Sequence, residues 1–245
     1  MYNSARLESS TVLRSIFPYR TSVMDVLKPT FSKALSGLLL GLTAAVSVLA
    51  VAAASPALAA DAAMTGSAEA GQAKSVTCAA CHGMDGNSLN PEWPSLAGQH
   101  EGYLIKALQT FRSGERKNVL MSGMAMPLTD EDIRDLAAYF VKRKPTGNVA
   151  DPALVTAGER LYRGGNKVTG VPACLACHGP TGRGNPAAGW PSIAGQHASY
   201  AAAQLLAYRS AQRATDGDTQ MMRNVTASLT DDDIKAVSSY IQGLR

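Results

Sequence analysis

A chain of 245 residues, 46% apolar and 17% charged, has room for one or two compact domains. Its formal charge of +4 sits at the N-terminal end: residues 1–60 hold five Lys/Arg against two Asp/Glu, and the remainder is nearly neutral at +1. With no basic stripe in that remainder, nucleic acid is excluded as a partner.

The first 60 residues do not read as part of a fold. Lys28 and Lys33 precede an apolar run over 34–54, and Ser-Pro-Ala-Leu-Ala-Ala follows at 55–60. Basic, apolar and small-residue regions in that order predict a secretory signal peptide, cleaved near Ala59 or Ala60. A retained membrane anchor is the rival, since about 20 apolar residues can span a bilayer. The Ala-rich run and the cleavage pattern directly after it favour removal. Met24 offers an alternative translation start, which would leave residues 1–23 outside the precursor.

From residue 61 onward the chain repeats itself. The first copy has Ala70-Gly71-Gln72, then Cys78-Ala-Ala-Cys81-His82-Gly83, then Trp93-Pro94-Ser95-Leu96-Ala97-Gly98-Gln99-His100 and Tyr103. It ends with Leu128-Thr129-Asp130-Glu131-Asp132-Ile133 and Tyr139. The second copy has Ala157-Gly158-Glu159, Cys174-Leu-Ala-Cys177-His178-Gly179, Trp190-Pro191-Ser192-Ile193-Ala194-Gly195-Gln196-His197 and Tyr200, and ends with Leu229-Thr230-Asp231-Asp232-Asp233-Ile234 and Tyr240. Such a repeat is one structural unit used twice. The expected organisation is a leader over 1–60, a first domain over 61–144, a polar, proline-containing linker over 145–155 and a second domain over 156–245.

Each copy reads as helical, with no alternating strand pattern, so the fold class is all-α. Helices are expected over 69–77 and 100–112, then from Thr129, whose side chain with Asp132 forms a variant capping box. Ile133, Leu136, Ala137, Phe140 and Val141 follow at helical spacing, and Lys142, Arg143 and Lys144 suit the helix C-terminus before Pro145. The second copy predicts helices over 152–163, over 197–213 and from Thr230 with Asp233.

All four cysteines lie in Cys-x-x-Cys-His. Two Cys-x-x-Cys pairs could hold zinc, a thioredoxin-like pair would need a βαβ context that is missing, and disulfides suit an exported chain. Only covalent haem c explains why His follows directly, twice. Cys78, Cys81, Cys174 and Cys177 would add as thioethers across the porphyrin vinyl groups of two haems, and His82 and His178 would then lie beneath the irons. Each half buries a modest core, so the macrocycle would supply apolar bulk that the side chains lack.

The sixth ligand follows from the repeat. Segments 121–129 and 222–230 align without a gap, and only Met121 and Met222 are methionine in both; Met124 and Met221 are the nearest substitutes, and core packing is the plain alternative. His100 and His197 are also paired by the repeat, which keeps bis-His coordination open against a surface or helix-terminal role. Tyr103, Tyr139, Tyr200 and Tyr240 could bond haem propionates or simply pack, and Trp93 and Trp190 read as core residues against the macrocycle. A ligating imidazole donates its other N–H to a second partner, and a backbone carbonyl near Pro94 or Pro191 is expected there. His/Met ligation closes both axial positions and suits one-electron transfer rather than substrate turnover.

The two Cys-x-x-Cys-His-Gly motifs, the Ala150-Asp151-Pro152 linker, the run Leu161 to Gly165 and the run Tyr240 to Leu244 together resemble the cytochrome c4 family. The resemblance covers essentially all of 61–245. It implies two class I cytochrome c domains related by a pseudo-two-fold axis, two haem groups, and His/Met ligation matching Met121 and Met222. It also implies a bacterial periplasmic electron carrier passing electrons from the cytochrome bc complex toward a terminal cytochrome c oxidase. For some members it implies association with the membrane surface. The Met-rich run Met121 to Pro127 departs from the pattern and leaves the first distal ligand less defined. An electron-accepting subunit of a periplasmic dehydrogenase and a haem enzyme such as a peroxidase are the rival functions.

Overall fold

The computed structural model describes residues 65–245; the expected leader over 1–60 lies outside the described residues. Among the described residues there are ten α-helices and no β-strand, only the isolated bridges Asn166–Val171 and Asn185–Trp190. None of these helices is long and apolar enough to cross a membrane. Helices α1 (Ala68–Lys74), α2 (Val76–His82), α3 (Glu101–Ser113), α4 (Val119–Ala125) and α5 (Asp130–Val141) build the first domain. Helices α6 (Val155–Gly164), α7 (Leu175–His178), α8 (Ala198–Arg209), α9 (Met221–Thr226) and α10 (Asp231–Gly243) build the second.

In both domains the first helix crosses the last. The crossing is possible because a glycine sits at the contact: a Cβ on Gly71 would lie 1.9 Å from the Asp135 carbonyl oxygen, and one on Gly158 would lie 2.3 Å from that of Ala236. The last helices start as expected. Thr129 accepts from the Asp132 N–H and Asp132 from that of Thr129, and Thr230 and Asp233 repeat the box. Below the caps, Ile133, Leu136, Ala137 and Phe140 are buried in one domain, and Ile234, Val237 and Ile241 in the other.

Three expected boundaries shift, each for a local reason. The helix expected over 69–77 breaks at Ser75, whose hydroxyl donates to the Gln72 carbonyl at 2.8 Å and competes with the helical ladder. A new helix then begins and carries the first motif. In the second copy the corresponding helix runs to Gly164, and a longer loop closed by the Asn166–Val171 bridge delays the motif. The helix expected over 197–213 stops at Arg209, since Ala211 takes a left-handed conformation at φ 56°.

The crossings are secured differently in the two domains. Lys74 reaches Asp132 at 2.7 Å and Asp135 at 2.5 Å, and Asp135 also accepts from the Ser67 N–H at 2.7 Å. Burial alone would push the Asp135 carboxyl up, but Lys74 and the Ser67 N–H outweigh it and hold it below the usual carboxylate range. The repeat places Leu161 and Ala236 at the positions of Lys74 and Asp135, so the second domain has no such clamp. A depressed carboxyl stabilises the fold above about pH 4, its unfolded value, and that contribution is lost as pH falls through the folded value. Acid is therefore expected to lower the protection of α1 against amide exchange selectively, relative to the intrinsic rate at each pH, and Asp135→Asn to lower it already at neutral pH with little further acid response. Peptide-resolved exchange of α1 and α6 reads both.

Candidate haem and electron-transfer site

The motifs ride on α2 and α7, and each histidine is the last residue of its helix. The chain turns away at once through Gly83 at φ 80° and Gly179 at φ 75°. A Cβ on Gly83 would meet the Asn87 carbonyl oxygen at 2.2 Å, so the reversal in the first domain needs glycine on two counts. Phenols brace these turns: the Tyr139 hydroxyl donates to the Met84 carbonyl at 3.0 Å, and the Tyr162 hydroxyl to that of Gly179 at 2.6 Å. Tyr240, the repeat partner of Tyr139, instead meets Arg163 at 3.1 Å.

His82 Nδ1 lies 2.8 Å from the Pro94 carbonyl oxygen, and His178 Nδ1 lies 3.0 Å from that of Pro191. A carbonyl can only accept, so Nδ1 carries the hydrogen and Nε2 keeps its lone pair. This is the partner the sequence led us to expect. Burial lowers the pKa of both imidazoles below the ordinary histidine value, against the opposing pull of these carbonyls. Both are therefore neutral, the form that binds a metal.

The four thiols are unpaired, which leaves them open to thioether formation. Burial pushes the Cys174 thiol up to about 11 and raises that of Cys78. Among the described residues no three His, Cys, Asp or Glu converge on a metal position, so two Cys pairs do not form a zinc site. Cys78, Leu96, Ile105, Leu108 and Leu128 pack against the core of the first domain, and Cys174, Leu175, Ile193, Ala202 and Leu205 against that of the second, all only partly buried. An apolar lining left half-wet beside free thiols and a neutral imidazole fits a large covalently held macrocycle.

Met121 and Met222 are half-buried, whereas Met124 is 39% exposed, Met126 68% and Met221 37%. Sequence reasoning missed how these methionines are held: both sit on short helices, α4 and α9. Asn118 caps α4 and accepts from the N–H of Met121 itself at 2.9 Å. Asp216 does the equivalent work in the second domain, taking the Arg223 N–H at 2.9 Å and its guanidinium at 2.8 Å.

His100 and His197 bond across the junction of the two domains. His100 Nε2 donates to the Arg183 carbonyl at 2.7 Å, and His197 Nε2 to that of Ser88 at 2.8 Å. They open helices, as one reading anticipated, but His197 is buried rather than on the surface, and these bonds argue against bis-His coordination. Tyr103 and Tyr200 face the same junction, bonding Arg213 and Arg116 of the opposite domain at 3.0 Å each. Trp93 and Trp190 are half-buried and lie outside the polypeptide core. The reciprocal contacts are those of a pseudo-two-fold arrangement.

The cytochrome c family model matches residues 68–144 and 155–245. A cytochrome c4 of Stutzerimonas stutzeri is 52% identical over 188 residues, 73% of this chain and 90% of that relative. The chain belongs to the cytochrome c4 family. The crystal structure of reduced recombinant cytochrome c4 from Pseudomonas stutzeri superposes with a TM-score of 0.72 at 51% identity, covering 74% of this chain and all of that one. A thiosulfate dehydrogenase electron acceptor of Thiomonas intermedia is 38% identical, covering 69% of this chain and 78% of that relative. The fold is two tandem class I cytochrome c domains, as the resemblance implies. The two motifs at Cys78/Cys81 and Cys174/Cys177 hold two covalent haem c groups, and the protein is a dihaem electron-transfer cytochrome.

Proposed function

We propose that this cytochrome shuttles single electrons in the bacterial periplasm, from the cytochrome bc complex toward a terminal oxidase, without turning over a substrate. His82 with Met121 and His178 with Met222 are its axial pairs. The observation that carries this reading is a half-buried methionine at the same repeat position in both domains, together with a hydrogen-bonded imidazole in each. Haem iron supplies the one-electron chemistry by cycling between ferrous and ferric states.

The protein's part is to hold that chemistry still. The cysteines would hold the macrocycle, the Pro94 and Pro191 carbonyls fix each imidazole's tautomer, and the Met121 and Met222 sulfurs would deny the iron to water and small ligands. The apolar lining lowers the local dielectric, so little rearranges when charge changes. Methionine in place of a second histidine would raise the reduction potential of the group held there.

A second reading is favoured by the thiosulfate dehydrogenase electron acceptor of Thiomonas intermedia. On that reading the donor is a periplasmic sulfur-oxidising dehydrogenase, and stable co-purification with such an enzyme separates it from the respiratory assignment.

Met121→Ala and Met222→Ala are each expected to remove about half of the far-red band of Met-to-iron(III) ligation, and the double variant all of it. Met124→Ala is expected to leave the band intact. A full band in Met121→Ala with loss in Met124→Ala would move the first ligand one helical turn.

A further inference from the structure

The hydrogen bond from each motif histidine does not end at its proline. The Pro94–Ser95 peptide group accepts His82 Nδ1–H at its carbonyl and donates its own N–H, at 3.0 Å, to Oε1 of Gln196 in the other domain. Gln196 Nε2 returns a bond to the Ser95 carbonyl at 2.9 Å. The mirror arrangement is complete. The Pro191–Ser192 peptide accepts from His178 and donates to Gln99 Oε1 at 3.0 Å, and Gln99 Nε2 returns to the Ser192 carbonyl at 2.8 Å.

The chains then close on each other. The Gln196 backbone N–H bonds the Ile193 carbonyl at 3.2 Å, and the Gln99 N–H bonds that of Leu96 at 3.1 Å. Each glutamine is thus tied to the segment that carries the proline of its own domain, while its amide grips the peptide beside the other domain's histidine. Ser95, Gln99, Ser192 and Gln196 line one small cavity at the junction.

We infer that Gln99 and Gln196 are crossed positioning residues that tune the haem of the opposite domain: Gln196 that of the first, Gln99 that of the second. The physical link is one peptide unit. Donation from the Ser95 N–H to Gln196 places more negative charge on the Pro94 oxygen of the same resonant amide, which strengthens its hold on His82 Nδ1–H. Such cooperative strengthening is worth roughly 10–30% per bond. A stronger acceptor makes the imidazole a stronger donor to the metal, favouring the oxidised state. The inference rests on His82 and His178 being axial ligands, as proposed above.

The test uses the holoprotein labelled with 15N-histidine, read by NMR in both redox states, together with a redox titration. Gln196→Ala is expected to shift the His82 Nδ1–H signal of the reduced protein and leave that of His178 in place. It should raise the first haem's potential by about threefold in its electron-exchange equilibrium, about 28 mV at 59 mV per tenfold. Gln99→Ala is expected to do the same to His178 and the second haem. Tyr200→Phe removes a bond from Arg116 across the same junction without touching either proline peptide, and is expected to move neither histidine. Shifts confined to the substituted domain, equal shifts in both, or an equal effect of Tyr200→Phe would overturn the inference. If the oxidised wild type gave no hyperfine-shifted signal from either histidine, the axial assignment would fall as well, and the two failures are thereby told apart.

Discussion

Cys174→Ser combined with Cys177→Ser is expected to yield a chain with one haem instead of two and with its second domain unfolded. The largest fully buried side chains of the described residues are Tyr162, Ile133, Leu136, Val237, Thr226 and Ser238, and three of these six carry a hydroxyl. A domain of this length with so thin a core is marginal. The rest of its apolar lining, Ile193, Ala202 and Leu205 among it, is only partly buried by the polypeptide. The macrocycle would cover that surface, and each buried apolar Å² contributes about 25 cal/mol. Pyridine-haemochrome quantitation should give one haem per chain, and far-ultraviolet circular dichroism should lose roughly half its helical signal. A native-like spectrum from the double variant would show that side chains alone suffice.

The second large effect is expected at the helix crossings. Gly71→Ala and Gly158→Ala each put a methyl group inside the contact distance of a backbone carbonyl on the last helix, and backbone cannot swing aside as a side chain can. Overpacking costs typically 1–3 kcal/mol, and about 3 is expected here because the obstacle is backbone. For a domain of this size that lowers Tm by about 12–24 °C. Gly102→Ala and Gly123→Ala meet nothing within 4 Å and serve as controls. Their Tm should fall by far less, or rise, since alanine favours helix. Calorimetry of the four holoproteins makes the comparison, and equal Tm values for Gly71→Ala and Gly102→Ala would contradict the crossing argument.

Much of this was legible in the chain itself because it rests on local rules. The capping boxes at Thr129 and Thr230 need only residues three apart, and the helices that follow need only apolar spacing. The prolines that receive His82 and His178 could be named because the same Trp-Pro-Ser run follows each motif. What stayed hidden depends on which domain a side chain meets. Gln99 and Gln196 stand in the repeated Ala-Gly-Gln-His run, and their recurrence was a signal, but nothing local says that each amide grips the other domain. His100 and His197 were hidden in the same way: beside a helix start they read as surface or helix-terminal residues, and only the domain packing supplies the Arg183 and Ser88 carbonyls. The break at Ser75 turns on one side-chain hydrogen bond and the stop at Arg209 on one backbone conformation, and apolar spacing encodes neither. Asn118 and Asp216 show that the two copies reach one geometry with different residues, which a search for identical positions passes over.

The proposed function requires two haems that each exchange one electron with both axial positions filled. Coulometric titration of the purified holoprotein, followed by its visible and electron paramagnetic resonance spectra, tests this. The prediction is two electrons per chain taken up and returned reversibly, two low-spin ferric signals, and no spectral change on rapid mixing with cyanide. A high-spin ferric signal, or prompt cyanide binding at one haem, would contradict it and place an open coordination site, and with it an enzyme, in one of the two domains.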